Sequence, residues 1–437
     1  MPTPTRRAFL KSTATVTTAA VATHVFVNAS AAQTPADPFP LALIGAGGRG
    51  AQLAATIGAL ANVTIKYVCD PDTAHAQGVA KSVAAKASAR GLTANPEILP
   101  DFRKALEDKS LRGVVIATPD HWHAPAAILA AAAGKHVYVE KPCCHNPREG
   151  ELLVAAQKKF NVVVQHGSQR RSYPKNIEAM AKLKEGAIGT VRFSRGWYTA
   201  NRPTIGKGKA VPVPANLDWT LWQGPAPQRE FHDNYVPYNW HWFWDWGTGE
   251  CGNNGIHSLD LCRWGLGVDT PLKTTSAGGR YHFADDWQTP DTQFATYDFG
   301  DKLIHWEGRS CHPRGVENNN SGFGAAFYGD HGSLVIDGGN YTIYDLKNKE
   351  VAKVTGPAPE KDHMQNFIDA AIANDQSKLH APIAEGYKSV LLCHLANIAL
   401  RTARTIHLDP ATAQIKDDPE AAKLWTREYR PGWEPKV

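Results

Sequence analysis

The run Leu41-Ala42-Leu43-Ile44-Gly45-Ala46-Gly47-Gly48-Arg49-Gly50 constrains this chain more than any other stretch. Four apolar residues suit a buried strand, glycines at the Gly-x-Gly-x-x-Gly spacing a tight turn, and residues 51–60 a helix that starts at once. Gly45 permits the turn, Gly47 lets a backbone approach a pyrophosphate, and Gly50 allows the helix to sit close to the strand. The helix N-terminus attracts the phosphate charge, and Gly48 and Arg49 complete the expected contact set. A second apolar run, residues 63–69, ends in Asp70, twenty residues past Gly50, where a carboxylate accepting bonds from ribose hydroxyls is expected. That carboxylate repels a 2′-phosphate, so the expected nucleotide is NAD. NADP is the alternative if the fold brings a basic residue to the site, since Lys66 and His75 form no phosphate clamp in sequence.

Helix and strand patterns then alternate: helices over residues 73–91, 100–107, 124–133 and 147–160, strands over 113–117, 136–139 and 162–165. Strands spaced by helices of this length predict a doubly wound parallel sheet, whose ligands lie beyond the carboxyl ends of the strands. Three polar clusters fall at such ends: Thr118 to His123, Glu140-Lys141-Pro142, and His166-Gly167-Ser168-Gln169. An ammonium at Lys141, beside a bound nicotinamide, can bond a reacting hydroxyl, stabilise a developing alkoxide, or give up its proton when desolvated.

Glu140-Lys141-Pro142 after the fifth strand, Thr118-Pro119-x-x-x-His123 after the fourth and the glycine fingerprint together resemble the glucose-fructose oxidoreductase/inositol dehydrogenase (Gfo/Idh/MocA) family. The resemblance implies an α/β Rossmann domain (residues 36–170) followed by an α+β domain with a large, mostly antiparallel sheet (residues 171–410), and then a tail (411–437). It also implies nucleotide contacts from Thr118, Pro119, His123, Glu140, Lys141 and Gln169. Further implications are a catalytic role for Lys141, a cis bond before Pro142, substrate on one face of the second sheet and a homo-oligomer contact on the other.

In the second half, residues 173–183 read as a helix and 189–198 as a strand. Residues 201–215, rich in proline, lysine and glycine, read as a surface loop, a lid or an arm on a neighbouring subunit. Seven of the thirteen tryptophans lie between Trp219 and Trp264, and the faces of Trp240 and Trp242 suit the C–H surfaces of a sugar. Residues 279–283, 292–299, 302–308, 332–337 and 341–345 alternate as antiparallel strands, and helices close the domain at 362–373 and 384–405.

A helix beginning near Asn253 sets Asn253 and His257 on one face, where the pair holds a sugar hydroxyl. Histidine carries protons near neutral pH, so His257 is the candidate general acid/base. The stretch resembles the family's Asp-x-Gly-x-His pattern with Asn253 in the aspartate position. An amide binds a hydroxyl but takes no proton; Asp245, Glu250 and Asp260 are the nearby carboxylates. Gln169 is expected to bind both cofactor and substrate. No zinc spacing occurs, and His121-x-His123 alone is too little for a metal.

Residues 1–32 read as a twin-arginine signal: Thr5-Arg6-Arg7-Ala8-Phe9-Leu10-Lys11, a mildly apolar stretch, then small residues at 29–32. Its removal takes three positive charges from a net +5 and leaves +2, without a basic stripe, so neither nucleic acid nor an anionic membrane is an expected partner. The seven cysteines include no Cys-x-x-Cys pair and read as small core residues. The expected function is an exported, periplasmic or secreted NAD(P)-dependent oxidoreductase acting on a pyranose sugar or glycoside with a tightly held cofactor. The alternatives are a glycosidase that oxidises, eliminates and re-reduces, and a non-catalytic sugar-binding protein.

Overall fold

In the computed structural model, residues 38–437 are described, apart from residues 90, 92 and 318–320; the twin-arginine segment lies outside the described residues. Strand β1 (Phe39–Ile44) is apolar at every position because both of its faces are covered. It is followed by α1 (Gly48–Ile57), β2 (Val63–Cys69), α2 (Thr73–Ser88), β3 (Glu97–Leu99), α3 (Phe102–Leu106), β4 (Gly113–Ile116), α4 (Asp120–Ala132), β5 (His136–Val139), α5 (Pro147–Phe160) and β6 (Val164–His166). The six strands form a parallel sheet in the order β3-β2-β1-β4-β5-β6, the doubly wound arrangement that the alternation predicts. The order reverses between β1 and β4, so a crevice opens at their carboxyl ends. Helix α4 starts at Asp120, earlier than its periodicity suggests, because Pro125 interrupts the pattern; His121 and His123 are therefore helical.

The second half runs α6 (Pro174–Lys184), β7 (Val191–Thr199), α7 (Trp219–Gln223), α8 (Ile256–Leu266), β8 (Lys273–Gly279), β9 (Thr292–Asp298), β10 (Leu303–Arg309), β11 (Phe323–Gly329), β12 (Gly332–Asp337), β13 (Asn340–Asp345), β14 (Glu350–Val354), α9 (Glu360–Ala373), α10 (Ile383–Thr402) and β15 (Ile406–His407). Its nine strands order as β14-β13-β12-β11-β7-β10-β9-β8-β15, and only β7 and β10 pair in parallel. Helix α8 packs so closely on this sheet that a Cβ on Gly196 of β7 would lie 3.0 Å from Ser258. The strand expected at 279–283 lies earlier, at Lys273–Gly279: the Asp291 carboxylate accepts from the amides of Tyr281 and His282 and ends the ladder there. Strand β11 escapes the alternation test because its first five residues are all buried.

Two pieces of the C-terminal part serve the first sheet. Met364, Phe367 and Ile368 of α9 share a core with Phe39, Leu41 and Leu43 of β1, so a distant helix covers one face of the parallel sheet. Residues 411–437 are packed rather than trailing: Trp433 meets Trp122 edge-on at 5.5 Å, and the Tyr429 hydroxyl donates to Glu149 at 2.9 Å.

The two halves are also joined by a buried ion pair. Arg171, just after β6, grips Asp260 of α8 with Nε and Nη2 at 2.8 and 2.9 Å, and Ser389 Oγ of α10 donates to the same carboxylate at 2.6 Å. Burial alone would raise the Asp260 pKa, but Arg171, Arg263 and Ser389 hold it below the usual carboxylate range. Removing one partner strands a buried charge, so Asp260→Asn is expected to lose about 3–5 kcal/mol in urea unfolding. Because the folded pKa is depressed, this stability is present above the unfolded carboxylate value of about 3.9 and is lost as pH falls through the folded value. A flatter acid limb in the variant is the second readout; an unchanged limb contradicts the assignment.

Candidate active site

The glycine turn behaves as its spacing predicts. Gly45 has φ +89°, and a Cβ there would lie 2.6 Å from the Ala117 carbonyl carbon; a Cβ on Gly50 would lie 1.9 Å from the Gly45 oxygen, so only glycine lets α1 approach β1. A Cβ on Gly47 or Gly48 would meet nothing within 4 Å. No side chain caps α1 and no acidic residue occupies its first turn, so its amides face an open space suited to a pyrophosphate. Thr118 Oγ1, on the same cleft, is buried with no partner. These features fit a dinucleotide.

Asp70 stands at the end of β2. Its two oxygens accept from the amides of Ala46 at 2.6 Å and Asp72 at 2.8 Å, which ties the carboxylate to the glycine turn. Each oxygen keeps a second lone pair for a ribose hydroxyl. Burial raises the Asp70 pKa against those two amide bonds. Arg49, expected on the cofactor, lines the cleft and is also held by carboxylates: Nε meets Glu140 at 2.8 Å and Nη2 pairs with Glu360 of α9. Glu140 also accepts from the Lys141 amide at 3.1 Å. Burial would raise the Glu140 pKa, yet Arg49 and Lys141 hold it below its ordinary value.

Lys141 precedes a cis bond to Pro142. Its Nζ donates to the Asn253 carbonyl at 2.8 Å and to Asn253 Oδ1 at 3.1 Å. Burial pulls the Lys141 pKa down, opposed by Glu140 and Asp120. Asp120 accepts from Thr248 Oγ1 at 2.7 Å, and His123 sets its ring between the carbonyls of Pro142 at 2.6 Å and Thr118 at 2.8 Å. His123 thus positions the strand ends. Asn253 lies in a π turn (Cys251–Gly255) and not in the helix expected there, which begins at Ile256. Its Nδ2 reaches the Tyr238 hydroxyl and Glu250 Oε1, both at 3.4 Å.

The other wall of the cleft is a strap, residues 216–246. One end is pinned to the ribose end of the first domain. Asn216 Nδ2 donates to Asp72 Oδ1 at 2.7 Å, the Thr73 amide to the Asn216 carbonyl at 2.9 Å, and the Asp218 amide to Pro71 at 3.0 Å. Its middle is anchored by an aromatic cluster in which Trp219 stacks on Trp222 at 4.7 Å. From there Leu217, Trp222, Pro237, Trp240 and His241 face Gly47, Asp70, Thr118 and Lys141 across a cleft of about 580 Å³. The loop at 201–215 is docked within the chain: Thr204 Oγ1 and the Gly208 amide bond Asp285 and Asp286 at 2.8 and 2.7 Å.

Not every expected residue lines the cleft. Trp242 is 1% exposed and stacks on Trp287 at 3.9 Å, so it offers no face to a sugar; Trp240 lines the cleft. Gln169 stands outside the cleft wall with Oε1 buried and unpartnered. His257 is buried one turn beyond Asn253, beside Phe323 at 6.5 Å and outside the cleft that Lys141 lines. Burial, then Arg170 and Lys141, push its pKa well below the ordinary histidine value. The alternative carboxylates are spent: Asp245 on Arg229, Glu250 on Arg202, Asp260 on Arg171. The missed residue is His241, whose Nδ1 donates to the Tyr238 carbonyl at 2.6 Å and whose ring stacks on Trp240 at 3.6 Å. Only the aromatic-rich context marked it in sequence.

The strap generates a test. Asn216→Ala removes one side-chain bond of the latch, so NADH release in a stopped-flow chase is expected to quicken roughly two- to tenfold, the equivalent of one hydrogen bond. An unchanged rate means that the strap does not retain the nucleotide.

Comparison with known proteins agrees with this geometry. Residues 39–168 match the oxidoreductase family's NAD-binding Rossmann fold, and residues 204–435 its C-terminal alpha/beta domain. Levoglucosan dehydrogenase of Pseudarthrobacter phenanthrenivorans is 30% identical over 168 residues, 38% of this chain and 36% of that protein. A glycosyl hydrolase family 109 protein of Saccharopolyspora erythraea is 30% identical over 160 residues, 36% and 34% of the two chains. The matched stretch thus spans about a third of the length of these curated relatives. The solved levoglucosan dehydrogenase in complex with NADH and levoglucosan shares the fold, with a TM-score of 0.65 at 19% identity over 85% of this chain and 99% of that one. The chain belongs to the Gfo/Idh/MocA oxidoreductase family, with an NAD-binding Rossmann fold as its first domain.

Proposed function

We propose that this protein is an NAD-dependent dehydrogenase acting on a hydroxyl-bearing carbon of a pyranose sugar or glycoside. The observation that carries the reading is Lys141, fixed on Asn253 in the cleft that the glycine turn and Asp70 also line. When bound, NAD takes up or returns the hydride. An ammonium has three protons, and Asn253 engages two; the third is left for the substrate oxygen. Desolvation makes the neutral amine accessible, so Lys141 can also take the hydroxyl proton. His241 is the second proton carrier that the cleft supports: with Nδ1 donating to Tyr238, Nε2 is its acceptor, and burial, with Lys141 nearby, pushes its pKa well below the ordinary histidine value so that the ring rests neutral. His257, the carrier expected from sequence, is the alternative, buried one turn beyond Asn253.

The strap supports a nucleotide that stays bound, as an enzyme exported by the twin-arginine route requires; the Thr5-to-Lys11 signature supports that route. The open face of the nine-stranded sheet, with Phe193 stacked on Tyr328 at 5.1 Å and Phe294 38% exposed, supports homo-oligomer assembly there. The partial match to a glycosyl hydrolase family 109 protein favours a second reading, a glycosidase using NAD transiently.

Absorbance near 340 nm separates the readings. A lasting rise with a free sugar supports the dehydrogenase, aglycone release without one supports the glycosidase, and no bound nucleotide contradicts both. Lys141→Ala is expected to lower kcat by about 10²–10⁴ with NADH affinity retained. Because burial lowers the Lys141 pKa, oxidation in the wild type should climb with pH through a value below the ordinary 10.4 or so of lysine. Lys141→Arg should lack that limb, since arginine stays protonated. His241→Asn and His257→Asn, assayed in parallel, decide the second carrier: the one that loses kcat without losing NADH holds the role. Export is tested by replacing Arg6 and Arg7 with lysine, which should keep the full-length chain inside the cell; unaltered export rejects the route.

A further inference from the structure

Donors without acceptors gather in a second cavity of about 290 Å³. It is walled by residues 145–147 before and at the start of α5, by His394, Asn397 and Arg401 of α10, by residues 423–428, and by the stretch from Trp244 to Thr248. Thr248 separates it from the cleft, since the same residue donates to Asp120.

At its centre is Arg427. Nη1 approaches His145 Nδ1 at 3.0 Å, while Nη2 is buried with no partner. Among the described residues Arg427 has no salt bridge. The two carboxylates that influence it are engaged elsewhere: Glu149 with the Tyr429 hydroxyl and the His145 amide, both at 2.9 Å, and Asp245 with Arg229 at 2.7 Å. A guanidinium nitrogen only donates, so His145 Nδ1 is the acceptor of that pair and the proton of the neutral ring sits on Nε2. His145 Nε2 is also buried without a partner. Arg401 stands at the rim, its guanidinium 4.7 Å from the Trp244 ring and without a carboxylate. Burial lowers the Arg427 pKa, opposed only in part by Glu149, Tyr429 and Asp245.

Both buried unpartnered side-chain atoms here are donors; of the two carboxylates that line the cavity, Asp245 is paired with Arg229 and Glu428 lies on the exposed rim, so the buried charge without an ion pair is that of Arg427. Buried donors and buried charge are costly to leave unpaired. An occupant must therefore accept hydrogen bonds and carry negative charge, and a guanidinium fork matches two oxygens on one atom. We propose that this cavity is an oxyanion site taking a carboxylate or phosphate group, held by Arg427 Nη2 and His145 Nε2–H and closed from the rim by Arg401. The oxyanion belongs either to a small molecule or to an acidic side chain of a second copy of this chain.

The test uses NADH-saturated protein, so that the glycine turn is already filled. Inorganic phosphate and succinate are titrated separately by calorimetry at constant ionic strength against chloride. Saturable heat with either probe, weakened about tenfold in Arg401→Ala and abolished in Arg427→Met, assigns the site to a small oxyanion; tenfold is about 1.4 kcal/mol, within reach of one charged hydrogen bond. Arg401→Ala keeps the test valid if Arg427→Met does not fold, because Arg401 is exposed. Sedimentation of the same proteins gives the other arm: no heat, but a lighter species in Arg401→Ala, assigns the oxyanion to a neighbouring copy. Neither heat nor a change in sedimentation overturns the proposal, as does heat that both variants leave unaltered.

Discussion

A single ammonium held by an asparagine joins the two halves of this protein at the point where they must act together. Lys141 belongs to the carboxyl end of β5, and Asn253 to the turn that leads into α8 on the second sheet. Behind each stands a carboxylate that is itself held by an arginine. Arg49 and Glu140 fix the backbone of Lys141 from α1, and Arg202 fixes Glu250, which accepts from Asn253 and Asn254. The result is a line of alternating charge across the cleft, Arg49, Glu140, Lys141, then Glu250 and Arg202, interrupted only by the amide. Each charge is compensated by its neighbour, which is what lets so many ionisable groups lie buried together.

Around that line the two sheets solve different packing problems. The parallel sheet needs cover on both faces, and its own helices are supplemented by α9, brought back from more than two hundred residues downstream of β4. The antiparallel sheet needs cover on one face only, which α8, α10 and α6 supply. The return of α9 also delivers Glu360 to Arg49, so the packing of the first sheet and the charge line are set by the same helix.

This division explains what was legible in sequence. The turn from Gly45 to Gly50 and the places of Asp70 and Lys141 were readable because each rests on local geometry, a positive φ, a close approach or a strand end, whereas Asn253, expected on a helix, lies in a π turn. The strap was not, since residues 216–246 carry no periodicity; its course is set by contacts with Pro71, Asp72 and Trp122, far off in the chain. Trp242 and Trp240 look alike in sequence, and only a tertiary contact with Trp287 decides which is core. His257 has helical spacing from Asn253, but spacing identifies a face, not what that face meets. His241, by contrast, is aimed into the cleft by a bond to the carbonyl three residues before it, which no periodicity reports.

The amide at position 253 changes the proton balance of the site. A carboxylate beside Lys141 would add a negative charge next to Nζ and favour the ammonium, as Glu140 and Asp120 already do. With Asn253 in contact, desolvation prevails and the Lys141 pKa falls. A lysine destabilised as a cation holds a proton less firmly, so it is better suited to receive one from a substrate hydroxyl and to return it than to serve as a fixed charge. The same amide cannot carry that proton onward, and the carboxylate that accepts from it, Glu250, is held by Arg202. Lys141 and His241 both line the cleft, and with Nδ1 donating to the Tyr238 carbonyl the His241 Nε2 keeps its lone pair. In the reading proposed above, asparagine at 253 leaves proton transfer to the strap side of the site, on the segment that lines the cleft opposite the glycine turn.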